Sequence, residues 1–278
     1  MKNKAKNRWL WIASIILTLM LVIYQRATGP TYPLKGSVEI AEETVKYKFL
    51  RTYEVGEDAP VNVVVDNKKV SGVFHYKRFK SYDEWSAVDM WRDGNTLKAV
   101  IPQQPAAGKV EYRVELEYNG EKVSLTEESV VLRYKGAVPR PILIPHIFFM
   151  FFAMLFGLRA GLEALFGGDD NKYYTGVVLV TLTLGGLILG PIVQKYAFDA
   201  YWTGWPFGTD LTDNKTLFTF VFWVIAFLMV RRNKMHKLMV IVAAFFMIAV
   251  YTIPHSAFGS EIDHTKGESE KLENSVSE

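Results

Sequence analysis

Five long apolar stretches, almost free of charge, constrain the fold of this chain more than any other feature. Each approaches the ~20 residues that a helix needs to cross ~30 Å of hydrocarbon, although the fourth is short. Inside lipid only a helix satisfies the polar groups of its own backbone, so each stretch predicts a transmembrane helix. The five stretches are residues 9–24, 142–158, 177–193, 217–230 and 238–253.

The first apolar stretch follows a basic N-terminus, a combination that is also typical of a secretory signal peptide. No small-x-small cleavage site follows its core, where the sequence reads Tyr24-Gln25-Arg26. The sequence therefore predicts a retained signal anchor over residues 8–25, preceded by a cytoplasmic tail of residues 1–7.

Basic residues near membrane helices favour the cytoplasmic side, and they set the predicted orientation. They are concentrated in the N-terminal tail and in the turn "RRNKMHK" (231–237) between the fourth and fifth helices. Five crossings from a cytoplasmic N-terminus place both segments inside and the C-terminus outside. The sequence thus predicts a multi-pass protein of a bacterial inner membrane. Its extracytoplasmic parts would be residues 25–140, loop 195–215 and tail 255–278, the tail being disordered after about residue 265.

Residues 34–137 have a different pattern, typical of β-strands. The segment "KVEYRVELEY" (109–118) alternates apolar and charged residues, the period of a half-buried antiparallel strand. Segments 45–49, 61–65 and 70–79 repeat the pattern, while Asp93-Gly94-Asn95 and Asn119-Gly120 are hairpin turn signals. Six to eight short strands of this kind predict a β-sandwich. The chain has no cysteine, so this domain folds without disulfides.

The segment 74–121 resembles the immunoglobulin-like and fibronectin-type-III-like modules of bacterial surface proteins. The resemblance is carried by "WSAVDM", the glycine turn after it, "AVIPQQPAAGKVEYRVEL" and the closing Asn-Gly, over roughly a third of the chain. It implies a sandwich fold and a general binding or spacer role, and it transfers no catalytic residue.

The predicted fold is therefore an integral membrane protein: a five-helix α-helical bundle with an inserted all-β extracytoplasmic sandwich. Residues 141–254 form the four-helix part, joined to the sandwich by a hinge at Pro139 and Pro141. Small residues four apart, at 153, 157 and 161 in the second helix and at 186 and 190 in the third, predict close helix packing. Arg159 and Glu163 are four apart and predict an ion pair.

The turn-rich loop "YWTGWPFGTDLTDNKT" (201–216) lies on the predicted outer face, where the tail also emerges. We expect its aromatic rings to pack against Phe258 or the 254–255 turn, and its carboxylates to lie near His255 or His264. Asp213 or Thr212 is the predicted N-cap of the fourth helix, and Asp210 suits a turn. The predicted ligand- or partner-binding residues are Trp202, Trp205, Phe207, Asp210, Asp213 and Phe258.

Histidines and carboxylates of the same face form a candidate site for divalent zinc, manganese or iron. A haem held between His146 and His255 is a second hypothesis. Caps, turns and an interfacial aromatic belt explain the same residues without any metal, and the spacings match no strong metal motif. The candidate metal ligands are His146, His255, His264, Glu261 and Asp263.

These features favour a non-enzymatic membrane protein whose sandwich and aromatic loop form a platform for a membrane or periplasmic protein partner. A metal- or haem-dependent membrane enzyme is the alternative. A small-solute transporter ranks third, because no carboxylate lies at mid-membrane depth in any apolar stretch. The chain carries no nucleotide-binding or serine-hydrolase motif and no basic cytoplasmic domain for nucleic acid.

Overall fold

The computed structural model describes residues 4–232, 237–254 and 261–265. The chain divides into two compact units. Residues 1–30 and 138–260 form a helical unit, and residues 31–137 and 261–278 form a β unit.

The described part of the helical unit contains six α-helices. A seven-residue π-helical segment, Thr183–Leu189, joins the third to the fourth, so that residues 171–198 are continuously helical. Pro191, at the start of the fourth helix, lacks the N–H that an α-helical ladder would need there. The helices are α1 (Lys4–Thr28), α2 (Arg140–Leu165), α3 (Asn171–Leu182), α4 (Gly190–Phe198), α5 (Leu211–Arg232) and α6 (Lys237–Thr252).

Four helices among the described residues are long and apolar enough to cross a membrane. They are α1, α2, the continuous helix 171–198 and α5. Helix α6 is apolar but has only 16 residues. The protein is thus a mixed helical and β protein whose helices suit a bilayer.

Small residues allow the helices to approach closely. A Cβ on Gly157 would lie 2.5 Å from the sulfur of Met247, and one on Gly161 would lie 2.6 Å from the Cβ of Ala244. Gly157 and Gly161 of α2 therefore face α6, and α2 also packs against α3, as the sequence predicted. Gly185 of the π-helical segment supplies the close contact of the third helix with α2, at Phe149.

The β unit contains eleven strands in its described part, arranged in two sheets. One sheet has the order β1-β2-β4-β8-β7, and the other has the order β3-β11-β9-β5-β6, with β10 beside β9. The strands are β1 (Leu34–Ile40), β2 (Glu43–Phe49), β3 (Thr52–Glu54), β4 (Ala59–Val64), β5 (Ser71–Arg78), β6 (Ser86–Asp89), β7 (Trp91–Asp93), β8 (Thr96–Ile101), β9 (Lys109–Tyr118), β10 (Glu121–Ser124) and β11 (Val130–Lys135).

The two sheets enclose one apolar core, because the period of two turns alternate residues inward. In β9 the buried residues are Val110, Tyr112, Val114 and Leu116, as the alternation predicts. Both hairpin signals are confirmed: Gly94 has φ +58° between β7 and β8, and Asn119-Gly120 has positive φ at both residues between β9 and β10.

The core also buries polar groups that are hydrogen-bonded. Tyr134 is fully buried, and its hydroxyl donates to the carbonyl of Ile101 (2.8 Å) while it accepts the N–H of Ala59 (3.1 Å). Burial raises the pKa of Tyr134 to about 12, so the hydroxyl keeps its proton. This side chain joins the two sheets through both of its bonds.

Candidate functional site

The segment between α4 and α5, residues 199–210, is an ordered loop that we call the aromatic loop. Its backbone is fixed by the carboxylate of Asp213, which lies in the first turn of α5 and is buried. One carboxylate oxygen accepts the N–H groups of Thr203 (2.7 Å) and Gly204 (3.0 Å) and the side-chain amide of Gln194 (3.2 Å). Charge-assisted bonds of this kind are stronger than neutral ones, so the loop conformation depends on this carboxylate.

Asn214 and Asp210 also hold the loop, and we call their contacts, together with those of Asp213, the brace. Asn214 accepts the N–H of Trp205 (2.6 Å), and the Asp210 N–H donates to the Thr203 carbonyl (2.9 Å). The Asp210 carboxylate accepts the N–H groups of Thr212 (2.8 Å) and Asp213 (3.3 Å), so Asp210 caps α5. The predicted cap at Asp213 or Thr212 is wrong: helix α5 begins earlier, at Leu211, and Asp213 faces back into the loop.

The aromatic rings of this loop project away from the brace. Tyr201 is 60% exposed, Trp205 is 63% exposed and Phe207 is 83% exposed. The Trp202 indole donates to the carbonyl of Trp205 (3.0 Å), which joins the two ends of the aromatic segment. The loop therefore presents large apolar side chains from a backbone that is held internally.

The remaining predicted site residues lie in different places. His255 and Phe258 lie outside the described residues, so their predicted contacts with the loop remain predictions. His146 is half-buried in α2, and its Nδ1–H donates to the carbonyl of Gly185 (2.9 Å). Residues 261–265, with the three other predicted ligands, belong to the β unit. Within the described ranges, no three His, Asp or Glu side chains are grouped so that they could hold a metal ion.

Residues 261–265, which we call the tail segment, contact the sandwich through both backbone and side chains. The N–H of Ile262 donates to Ala107 (3.4 Å), and the N–H of His264 donates to Lys80 (3.0 Å). The Glu261 carboxylate lies between the ammonium groups of Lys80 and Lys109 and pairs with both.

The charges of this contact depend on one another. Burial opposes ionisation of Glu261, but hydrogen bonds from Lys109 and Lys80 outweigh it and hold its pKa below the ordinary 4.5. The two lysines respond in opposite directions: the bond to Glu261 raises the pKa of Lys80, whereas burial lowers that of Lys109. Glu261 is therefore a carboxylate at neutral pH and is held by two cations.

The neighbouring His264 is held by an arginine rather than by an acid. The Arg78 guanidinium, which can only donate, lies 3.4 Å from Nδ1 of His264. Arg78 also binds Asp83 through two bonds of 2.7 Å, which lower the pKa of Asp83 to about 2. The Nδ1 atom therefore acts as an acceptor toward a cation, an arrangement that does not suit a metal ligand at this nitrogen.

A buried charge cluster lies at the other end of the helical unit. Arg159 is 1% exposed, and it donates to Glu163 (2.7 Å) and to Asn7 of α1 (2.6 Å). Its guanidinium also lies over the rings of Trp11 (5.5 Å) and Tyr174 (4.5 Å). The predicted ion pair is confirmed, and it additionally joins α1 to α2 and α3, which the i to i+4 spacing alone does not indicate.

Comparison with known proteins gives no match, whether with protein-family models, with curated proteins or with solved structures. The function is therefore inferred from the geometry of this chain.

Proposed function

We propose that this chain is a non-enzymatic, multi-pass protein of a bacterial inner membrane that binds a membrane or periplasmic protein partner on its extracytoplasmic face. The observation that carries the proposal is the aromatic loop, whose exposed rings stand on an internally hydrogen-bonded backbone. Tryptophan and other large aromatic side chains are over-represented among the residues that dominate binding energy. A backbone already held in one conformation loses less entropy on binding.

The brace argues for a protein partner rather than for a simple interfacial belt. Belt aromatics need only a helix end near the headgroups, and nothing in that role requires a fixed loop backbone. Here Asp213 and Asn214 determine the backbone path of residues 203–205 through bonds that are independent of lipid. A fixed arrangement of rings is a property of recognition surfaces.

Helix α6 is proposed to cross the membrane together with α1, α2, the continuous helix 171–198 and α5, which gives five crossings. Its 16 residues span about 24 Å, somewhat less than the ~30 Å hydrocarbon core. With the basic N-terminus in the cytoplasm, five crossings place the C-terminal end outside.

The strand order supports an immunoglobulin-type sandwich. In that fold, strands B-E-D lie in one sheet and G-F-C lie in the other, which a C′ strand extends in variable-type domains. The orders β4-β8-β7 and β11-β9-β5-β6 correspond to these two series. Such sandwiches serve as binding and spacer units, which agrees with a platform role but does not by itself assign one.

The test is recovery of the partner from the intact membrane. Full-length tagged protein at native expression is cross-linked, extracted in a gentle detergent and purified with whatever it holds. We expect one membrane or periplasmic protein in stoichiometric yield, and its loss in the double variant Trp205→Ala with Phe207→Ala. Tyr173→Ala is the matched control, because Tyr173 is an aromatic residue, 64% exposed, near the start of the continuous helix 171–198 and therefore at the end away from the aromatic loop.

Three results would overturn the proposal. The first is a protein that purifies alone and as a monomer. The second is a double variant that retains the partner, and the third is a Tyr173→Ala variant that loses the partner to the same extent as the double variant. Metal analysis and an optical spectrum of the same preparation address the enzyme alternative. A stoichiometric metal or a Soret band would support a metal- or haem-dependent enzyme in place of a non-enzymatic partner-binding protein.

A further inference from the structure

A small pocket lies within the helical unit, at the end that carries the aromatic loop. Five helical segments contribute to it: α1, α2, α3, α5 and α6. Its volume is about 50 Å³. A cavity needs roughly 10–15 Å³ on this measure to hold one water, so the pocket accommodates about three or four waters or a group of similar size. The lining residues are Gln25, Met150, Leu182, Thr212, Lys215, Thr216, Thr219, Val250 and Tyr251.

Thr219 distinguishes this pocket from ordinary helix packing. It is 2% exposed, and its hydroxyl has no hydrogen-bond partner within the described residues. The other buried serine and threonine side chains in the described part of the helical unit donate to the carbonyl four residues earlier, as buried threonines in helices usually can. Those residues are Ser14, Thr18, Thr175 and Thr181. The hydroxyl of Tyr251, which lines the same pocket, is also buried and unpartnered in this part of the chain.

A cation lines the same pocket as these two hydroxyls. Lys215 lies one helical turn before Thr219 on α5 and lines the same pocket. Its ammonium donates to the carbonyls of Ile253 (3.1 Å) and Pro254 (3.4 Å), which leaves one of its three donors for another acceptor. Asp210 is the carboxylate whose charge acts on this ammonium, and its Oδ1 atom caps α5. Ionisable side chains within membrane helices commonly mark binding sites.

The other walls are apolar, with Met150, Leu182 and Val250 among them. A ligand that satisfies both kinds of wall has a small anionic oxygen head and an aliphatic chain. The small volume favours a compact anionic head such as a carboxylate. We propose that the pocket binds the carboxylate end of a fatty acid, with Lys215, Thr219 and Tyr251 as donors to its oxygens and the chain leaving into the lipid.

The experiment measures binding of palmitate to the full-length, delipidated protein by titration and by native mass spectrometry. We expect one palmitate per chain. Thr219→Val keeps the shape but removes the hydroxyl, and it should weaken binding about 10-fold; Lys215→Met should weaken it more. Thr175→Val is the matched control and should bind like the wild type, because Thr175 is fully buried on α3 and donates to its own helix. Hexadecanol, which has the same chain without the carboxylate, should bind at least 10-fold more weakly.

Other outcomes contradict the assignment. Equal binding of palmitate and hexadecanol would show that only the apolar walls matter. Retention of phosphatidylglycerol in place of palmitate would assign the site to a phosphate headgroup. A failure to bind palmitate, with Thr219→Val raising the Tm, would mean that ordered water alone occupies the pocket. Thr219→Val keeps the test decisive if Lys215→Met does not fold.

Discussion

Replacing Asp213 by alanine tests whether one buried carboxylate holds the aromatic loop. The change removes the acceptor of the Thr203 and Gly204 N–H groups, at 2.7 and 3.0 Å, and of the Gln194 amide. A hydrogen bond to a charged group contributes about 1.5–3 kcal/mol, and water can replace part of what is lost. We therefore expect the loop to become easier to open by about 2–4 kcal/mol, most of it from the two backbone bonds.

Hydrogen exchange of peptides covering residues 199–210 measures this opening directly, because amide protection reports the free energy of local unfolding. A loss of about 2–4 kcal/mol corresponds to exchange that is about 30-fold to 900-fold faster. Peptides from the core of α2 should exchange at the wild-type rate in the same sample. The partner-binding assay should lose signal in parallel, because the rings would no longer be held in one arrangement.

Asp199→Asn is the matched control. Asp199 belongs to the same loop, and its side chain is 81% exposed in an ion pair with Lys195. It also has φ +62°, a conformation that asparagine tolerates, so this variant removes a loop carboxylate without loss of the brace. If Asp213→Ala exchanges like the wild type, or if both variants exchange equally fast, the carboxylate does not hold the loop and our reasoning is wrong.

Three further predictions concern other contacts. Because the pKa of Glu261 is lowered, its pairing with Lys109 is complete above the ordinary value of 4.5 and is lost as pH falls through the lowered pKa. The protection of tail-segment amides against hydrogen exchange should therefore be constant down to about pH 5 and then decrease, whereas Glu261→Gln should show low protection at every pH. Tyr134→Phe leaves two buried backbone groups unpaired and should lower the unfolding free energy of the sandwich by about 2 kcal/mol. Denaturant-dependent hydrogen exchange of its strands measures this value, and an unchanged value would contradict the bridging role. Glu163→Gln leaves Arg159 buried without its counterion and should lower the unfolding free energy by about 3–5 kcal/mol, which is measured as a lower Tm in detergent. A decrease in Tm no larger than that of Asp199→Asn would contradict this prediction.

Local sequence patterns predicted the elements well, because each depends on neighbouring residues. The alternation in β9 determines which side chains face inward, and Asn119-Gly120 supplies the positive φ that a tight hairpin needs. The Arg159 and Glu163 pair is likewise local, since residues four apart share one helix face. The long apolar helices were predictable because a long apolar stretch has few other stable conformations.

The candidate sites depend on contacts between residues that are distant in the sequence. Asp213 was expected to cap a helix, but its partners lie nine, ten and nineteen residues earlier and become neighbours only in the folded chain. Lys109 and Glu261 are 152 residues apart, and no periodicity connects them.

The sequence by itself determined the long apolar helices, alternating strands such as β9 and the hairpin turns, because hydrophobic period and turn chemistry act over a few residues. Only the tertiary structure decided that Asp210 caps α5 while Asp213 braces the loop, and that Thr219 and Tyr251 line one pocket beside Lys215. The physical reason is that a side chain's partner is selected by packing. The same aspartate is a cap, a brace or a surface charge according to which backbone N–H groups the fold brings to it.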